Sequence, residues 1–263
     1  MRKLFFLLVI SSIFGLTFAQ FKNEIVIGKI DSLKSKILNE QRKVWIHIPE
    51  DYSSKKQYPV VYLLDAEAHF YSVVGLINHL SYSNGNTICP EMIIVGITNT
   101  NRTRDLTPFK GDSNDIFLPP EMLAQSGGGE NFISFIEKEL IPYIESKYPT
   151  APYRMLIGHS FGGLTLLNTF LHHYELFNSY IAIDPSVSWA SSRLLTEFEN
   201  TPTTKSYDKI ALFIGIANID KGKDLTESLR DTTYLSEHLR TIFALDDYLK
   251  SNPQNKLKYA SKF

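Results

Sequence analysis

A serine flanked by glycines carries the strongest chemical signal in the sequence. Gly158-His159-Ser160-Phe161-Gly162-Gly163 follows a short apolar run, residues 153–157, and precedes a helical pattern from Leu164 onward. A serine on a sharp strand-to-helix turn takes strained backbone angles, and small neighbours let the two elements approach each other. Its hydroxyl then stands exposed at the carboxyl end of a sheet. The helix start points amide N–H groups and a partial positive charge at the same spot. This context predicts that Ser160 is the nucleophile of an acyl-transfer site.

Such a site also needs donors for an oxyanion. The amide of Phe161, next after the serine, supplies one. The second is expected from residues 64–70, the loop after an earlier central strand, with the Glu67 amide ahead of that of Ala66. The side chains of Asp65 and Glu67 read as structural or substrate-facing. Asp65 and Trp189 are the candidate substrate-binding residues, the latter in an aromatic-rich cleft with Phe161.

An acid and a base should follow the serine in the order Ser, Asp/Glu, His. Asp220, just after the run 209–216, is the expected acid. Asn218 stands where an acid would be met first, and Asp184 is the alternative. The base is harder to find. His47, His69, His79, His159, His172, His173 and His238 all come before the last strand-like run, residues 256–263. His69 is the one near the oxyanion loop, and His79 and His238 fall in helical segments. The expectation is that the chain stops just short of the histidine loop, so that the domain is incomplete at its C-terminus.

The elements that must hold these residues alternate. Residues 43–49 alternate apolar and polar, as a strand near the sheet edge would. Residues 58–64, 91–97, 153–157, 180–183 and 209–216 are short continuous apolar runs. Continuous runs suit strands covered on both faces. Between them, residues 131–147, 164–177 and 236–249 carry apolar residues at helical spacing. The pattern predicts an α/β fold with a mostly parallel central sheet, helices on both faces and the last strand at the C-terminal end. Residues 109–129 fit no period and contain Pro119-Pro120 and Gly127-Gly128-Gly129. A loop that long reads either as a lid over the site or as a surface insertion.

The 263 residues suit one domain, with 43% hydrophobic and 21% charged residues. A formal net charge of −1 gives no attraction to nucleic acid or anionic lipid. A single cysteine, Cys89, excludes an internal disulfide framework and a thiolate zinc cluster. At the N-terminus, Arg2 and Lys3 precede an apolar run from Leu4 to Phe14 and then Thr17-Phe18-Ala19. The run is too short for a membrane span, which needs roughly 20 residues. Residues 1–19 are therefore expected to be a cleaved signal peptide, leaving residues 20–263 as an exported domain, periplasmic or secreted, with no membrane span.

These residues resemble a known family. Tyr62-Leu63-Leu64-Asp65, the run Asn101-Arg102-Thr103-Arg104-Asp105-Leu106-Thr107-Pro108, the Ser160 turn and Asp184-Pro185-Ser186-Val187-Ser188-Trp189 are similar to the esterase D-like α/β-hydrolases. The similarity is strongest to exported esterases related to siderophore esterases. The resemblance implies an α/β-hydrolase fold and a Ser/acid/His esterase with no metal or organic cofactor. It implies that Ser160 is the nucleophile and that Phe161 and Glu67 give the oxyanion amides. It also implies a histidine in a stretch that follows a strand resembling residues 257–263. The expected partner is a small-molecule ester, a siderophore lactone or an acyl ester. A non-catalytic exported binding module and an acyltransferase on the same fold are the alternatives.

Overall fold

The computed structural model describes residues 24–112, 115, 118–201, 205–217, 224–233 and 236–263. The expected signal peptide, Asn218 and Asp220 lie outside the described residues. Eight strands form one sheet: β1 (Lys29–Ser35), β2 (Glu40–His47), β3 (Tyr58–Leu63), β4 (Ile93–Ile97), β5 (Thr150–His159), β6 (Ser179–Ile183), β7 (Ala211–Gly215) and β8 (Lys258–Lys262). Their spatial order is β1-β2-β4-β3-β5-β6-β7-β8. The β1/β2 and β2/β4 pairs are antiparallel, and every other pair is parallel.

The continuous apolar runs form the inner strands because both of their faces are covered. In β3, Val60 and Tyr62 enter one core cluster, while Val61 and Leu63 enter the other. Successive strand residues point to opposite faces, so a strand between two layers needs an apolar residue at every step. Helix α1 (Ala66–Ser81) lays Phe70, Val74 and Ile77 on the second cluster. The short α2 (Arg102–Asp105) and α3 (Pro120–Leu123) follow. The helix expected over 131–147 is built from α4 (Gly129–Phe135), a π turn at Ile136–Leu140 and α5 (Ile141–Lys147). Pro142 cannot donate to the preceding turn, and the wide turn sits just before it. Helices α6 (Phe161–His172), α7 (Trp189–Asn200), α8 (Leu225–Arg230) and α9 (Glu237–Ser251) complete the list, and apolar residues of α6, α7 and α9 belong to the first cluster.

The strand expected over 43–49 is β2, one strand in from the sheet edge, with β1 paired outside it. β1 is hard to read from sequence, since Ile30 and Leu33 are its only apolar residues. The 109–129 stretch has no regular period in its sequence, yet both of its ends are tied down. Gly111 N–H donates to Ser126 Oγ at 2.9 Å, Gly127 N–H donates to Thr107 Oγ1 at 2.8 Å, and the Trp189 indole N–H donates to the Phe109 carbonyl at 3.0 Å.

Candidate active site

Ser160 stands between β5 and α6 with φ 57° and ψ −117°. A non-glycine residue at positive φ is strained and persists only where its surroundings enforce it. Here the enforcement is visible. Ser160 N–H donates to the Ile183 carbonyl of β6 at 3.0 Å, and Leu164 N–H donates to the Ser160 carbonyl at 3.0 Å. A Cβ on Gly158 would overlap the Gly162 carbonyl, and one on Gly163 would come within 2.9 Å of Pro185. The glycines of the motif are therefore needed for contact between elements.

The start of α6 and the loop that opens α1 come together at this turn. Phe161 opens α6, where the first N–H groups of a helix have no partner in the helix itself. A Cβ on Gly162 would lie 3.4 Å from Leu64 Cβ and from Asp65 Oδ2, so the start of α6 rests against the loop that opens α1. In that helix Ala68 and His69 N–H groups bond to the Asp65 carbonyl at 3.0 and 3.3 Å. The amides of Ala66 and Glu67 come ahead of this first bonded turn. The Glu67 side chain accepts from the Asn99 N–H at 2.8 Å and thereby ties the β4 loop to α1.

Asp65 is buried, sits in the left-handed region at φ 53°, and is fully engaged. It accepts from Arg102 Nε at 2.8 Å, Arg102 Nη2 at 2.9 Å and Asn99 Nδ2 at 2.7 Å. The Arg102 guanidinium lies over the Phe161 ring at 5.3 Å. The Phe161 ring meets Trp189 edge to face at 4.9 Å. An ion pair, a cation–π contact and an aromatic pair thus link the α1 loop to the α7 start. Trp189, expected against substrate, is only 4% exposed and its indole N–H is spent on Phe109. Its side chain supports Phe161 and the 109–111 segment from behind. Asp65 likewise acts on the site through Arg102.

On the other side of Ser160, Asp184 ends β6 at φ 46°. Its N–H donates to the Gly215 carbonyl at 2.7 Å, and its Oδ1 accepts from Ala217 N–H at 3.3 Å. Its Oδ2 lies 3.3 Å from His238 Nε2. Helix α9 therefore delivers an imidazole to the carboxyl edge of the sheet, which the order of histidines in the sequence did not suggest. No short-range pattern signals this contact, because the two residues come from different elements. Ser186, two residues beyond Asp184, places its hydroxyl 3.2 Å from Ser160 Oγ. His69 and His159 pack edge to face at 5.3 Å. Burial, followed by the nearby His69, lowers the His159 pKa below the ordinary histidine value, so this ring is neutral at neutral pH. Among the described residues, no group of three or more His, Cys, Asp or Glu side chains has the placement to hold a metal ion.

Comparison with known proteins bears on the family and the fold. Residues 35–226 match the family model described as "Putative esterase". The ferri-bacillibactin esterase BesA of Bacillus subtilis is 28% identical over 204 residues, which cover 73% of this chain and 71% of that protein. The siderophore enterobactin esterase of Emericella nidulans is 29% identical over 160 residues, covering 55% of this chain and 52% of that protein. Among solved structures, an IroE-like serine hydrolase from Shewanella oneidensis superposes with a TM-score of 0.78 at 34% identity, covering 89% of this chain and 72% of that one. The BES protein from Bacillus cereus has the same fold, with a TM-score of 0.75 at 23% identity over 92% of this chain and 88% of that one.

Proposed function

The chain belongs to this esterase family, ester-hydrolysing enzymes on an α/β-hydrolase fold, and from that premise we propose that it is an exported serine esterase with Ser160 as its nucleophile. The observation that carries the reading is the strained Ser160 turn at the mouth of α6, packed against the loop that opens α1. Ser160 Oγ attacks the ester carbonyl carbon, and the carbonyl oxygen becomes an oxyanion between the amides of Phe161 and Glu67. The Ser160 proton passes to an imidazole, which returns it to the leaving alcohol. Water then repeats the sequence on the acyl-enzyme and frees the acid.

The imidazole–carboxylate pair that supports this step is His238 on Asp184. Asp184 directly follows Ile183, whose carbonyl holds the Ser160 N–H, so the pair stands one strand away from the nucleophile. The acid expected at Asp220 lies outside the described residues. The resemblance offers a different base, a histidine following a strand like β8, and the two assignments part in a single variant, His238→Ala.

The substrate class is a carboxylic ester of the siderophore-lactone or acyl type. The names of BesA and of the Emericella nidulans esterase support this choice. Export is supported by the basic and apolar start of residues 1–19. The test is hydrolysis of p-nitrophenyl esters and of a siderophore trilactone, with Ser160→Ala as control. A fluorophosphonate probe followed by peptide mass analysis locates the nucleophile. Turnover lost in Ser160→Ala and an adduct on Ser160 are expected. An unlabelled Ser160 in an enzyme that turns over would refute the reading.

A further inference from the structure

The hydroxyls of Ser160 and Ser186 meet at 3.2 Å, and main-chain hydrogen bonds hold their two turns side by side. Ser186 N–H donates to the Ser160 carbonyl at 3.1 Å, while Ser160 N–H donates to Ile183 at 3.0 Å. The Asp184-Pro185-Ser186 turn is thereby bonded to the Ser160 turn on two sides. Pro185 closes the remaining gap, since a Cβ on Gly163 would come within 2.9 Å of it. With φ and ψ of Ser160 fixed by these contacts, the direction of its Cβ is fixed as well. One torsion, χ1, remains to decide where Oγ points, and it has three staggered wells.

The sheet order gives that choice a meaning. β5, which carries Ser160, lies between β3 and β6. The amides of Ala66 and Glu67 follow β3, and the Asp184–His238 pair follows β6. The contact with Ser186 selects the well that leans toward β6. We propose that Ser186 is a positioning residue whose hydroxyl holds Ser160 Oγ on the Asp184 side of the turn, with the β3 side left to the oxyanion. This rests on Ser160 being the nucleophile. A hydroxyl both donates and accepts. In the resting enzyme either hydroxyl can donate across this contact. When the Ser160 proton leaves for the imidazole, the Ser186 O–H rotates and donates to Oγ, keeping its own proton throughout.

The test compares Ser186→Thr with Ser186→Val, which match in shape and differ in the hydroxyl, alongside Ser186→Ala. Fluorophosphonate labelling rates and p-nitrophenyl ester kinetics are measured on all three, together with thermal midpoints. Ser186→Val and Ser186→Ala should lose about tenfold in labelling rate and in kcat, the worth of one hydrogen bond to a reacting oxygen. KM and the midpoint should stay put, and Ser186→Thr should recover most of the rate. A merely structural hydroxyl would move the midpoint and leave the labelling rate per folded molecule unchanged. Equal labelling rates in wild type, Ser186→Val and Ser186→Ala overturn this inference alone. Absence of any adduct on Ser160 in the wild type overturns the nucleophile reading and this inference together.

Discussion

His238 Nε2 lies 3.3 Å from Asp184 Oδ2, so a helix far along the chain brings an imidazole to a carboxylate at the end of β6. The carboxylate is itself fixed by the Ala217 N–H, and its own N–H is fixed on Gly215. An imidazole held this way is oriented by its carboxylate, as the general base of a serine hydrolase is. His238→Ala is expected to lower kcat for a p-nitrophenyl ester by about three orders of magnitude, and Asp184→Asn by roughly one to four. The double variant should lose no more than the worse single one, since residues acting as a unit are not additive. A His238→Ala enzyme that keeps half its rate would assign the proton to another imidazole.

The Asp65–Arg102 pair joins the loop that opens α1 to the Phe161 ring, and breaking it from one side leaves a buried carboxylate without its cation. Arg102 is itself 38% exposed, which limits the loss through solvent screening. Arg102→Ala should cost about 1–3 kcal/mol, which lowers the thermal midpoint by several degrees. Arg102→Lys should recover little, because an ammonium cannot reproduce the two-pronged contact. Adding Asp65→Asn to Arg102→Ala should regain part of the midpoint by removing the unpaired charge. Scanning calorimetry on the four proteins decides this, and a double variant less stable than Arg102→Ala would be the contrary result.

How far these features are legible in the sequence depends on their range. The Ser160 turn is readable because its parts are contiguous: an apolar strand, a glycine-spaced serine and a helix start. Strands β3 to β7 are readable because burial on both faces calls for continuous apolar runs. β1 escapes because an edge strand exposed on most of its length needs few apolar residues. The His238–Asp184 contact escapes because it is made by tertiary packing of α9, and position in the chain is no guide to position at the sheet edge. Arg102 stands in a run that signals family likeness, yet its bond to Asp65 follows only once the loops after β3 and β4 are placed side by side.

Trp189 illustrates the same limit within the site. An aromatic residue near the nucleophile suggests substrate contact, but this indole is buried and hydrogen-bonded to Phe109. Trp189→Phe keeps most of the ring volume and leaves the Phe109 carbonyl without its donor. The expected cost is about 1–2 kcal/mol of stability, read in a denaturant midpoint. Turnover of p-nitrophenyl acetate should stay within about threefold of wild type, because the amides of Phe161 and Glu67 and the Ser160 turn are untouched. A large rise in KM with unchanged stability would instead put the indole against the substrate.

His159 gives the protein a pH dependence that can be separated from that of its carboxylates. Burial, then the neighbouring His69, keeps the folded-state pKa below the ordinary value of 6.5. The unfolded chain has no such environment and protonates near that value. Between the folded and unfolded pKa values, the unfolded state therefore binds the extra proton, and stability rises with pH. The stabilisation from keeping His159 neutral is fully present above about pH 6.5 and declines as pH falls below it. Glu40 and Asp246 behave differently. Burial opposes their ionisation, yet ion-pair and hydrogen-bond partners leave both below ordinary carboxylate values. Their contribution is kept until the pH falls through those lower values. Burial raises the Asp115 carboxyl instead, so the imidazole is read from the difference between wild type and His159→Gln over about pH 5 to 6.5. Thermal midpoints measured across it should fall on acidification in the wild type and fall less in His159→Gln. Parallel curves for the two proteins would show that the folded state does not resist protonation at His159.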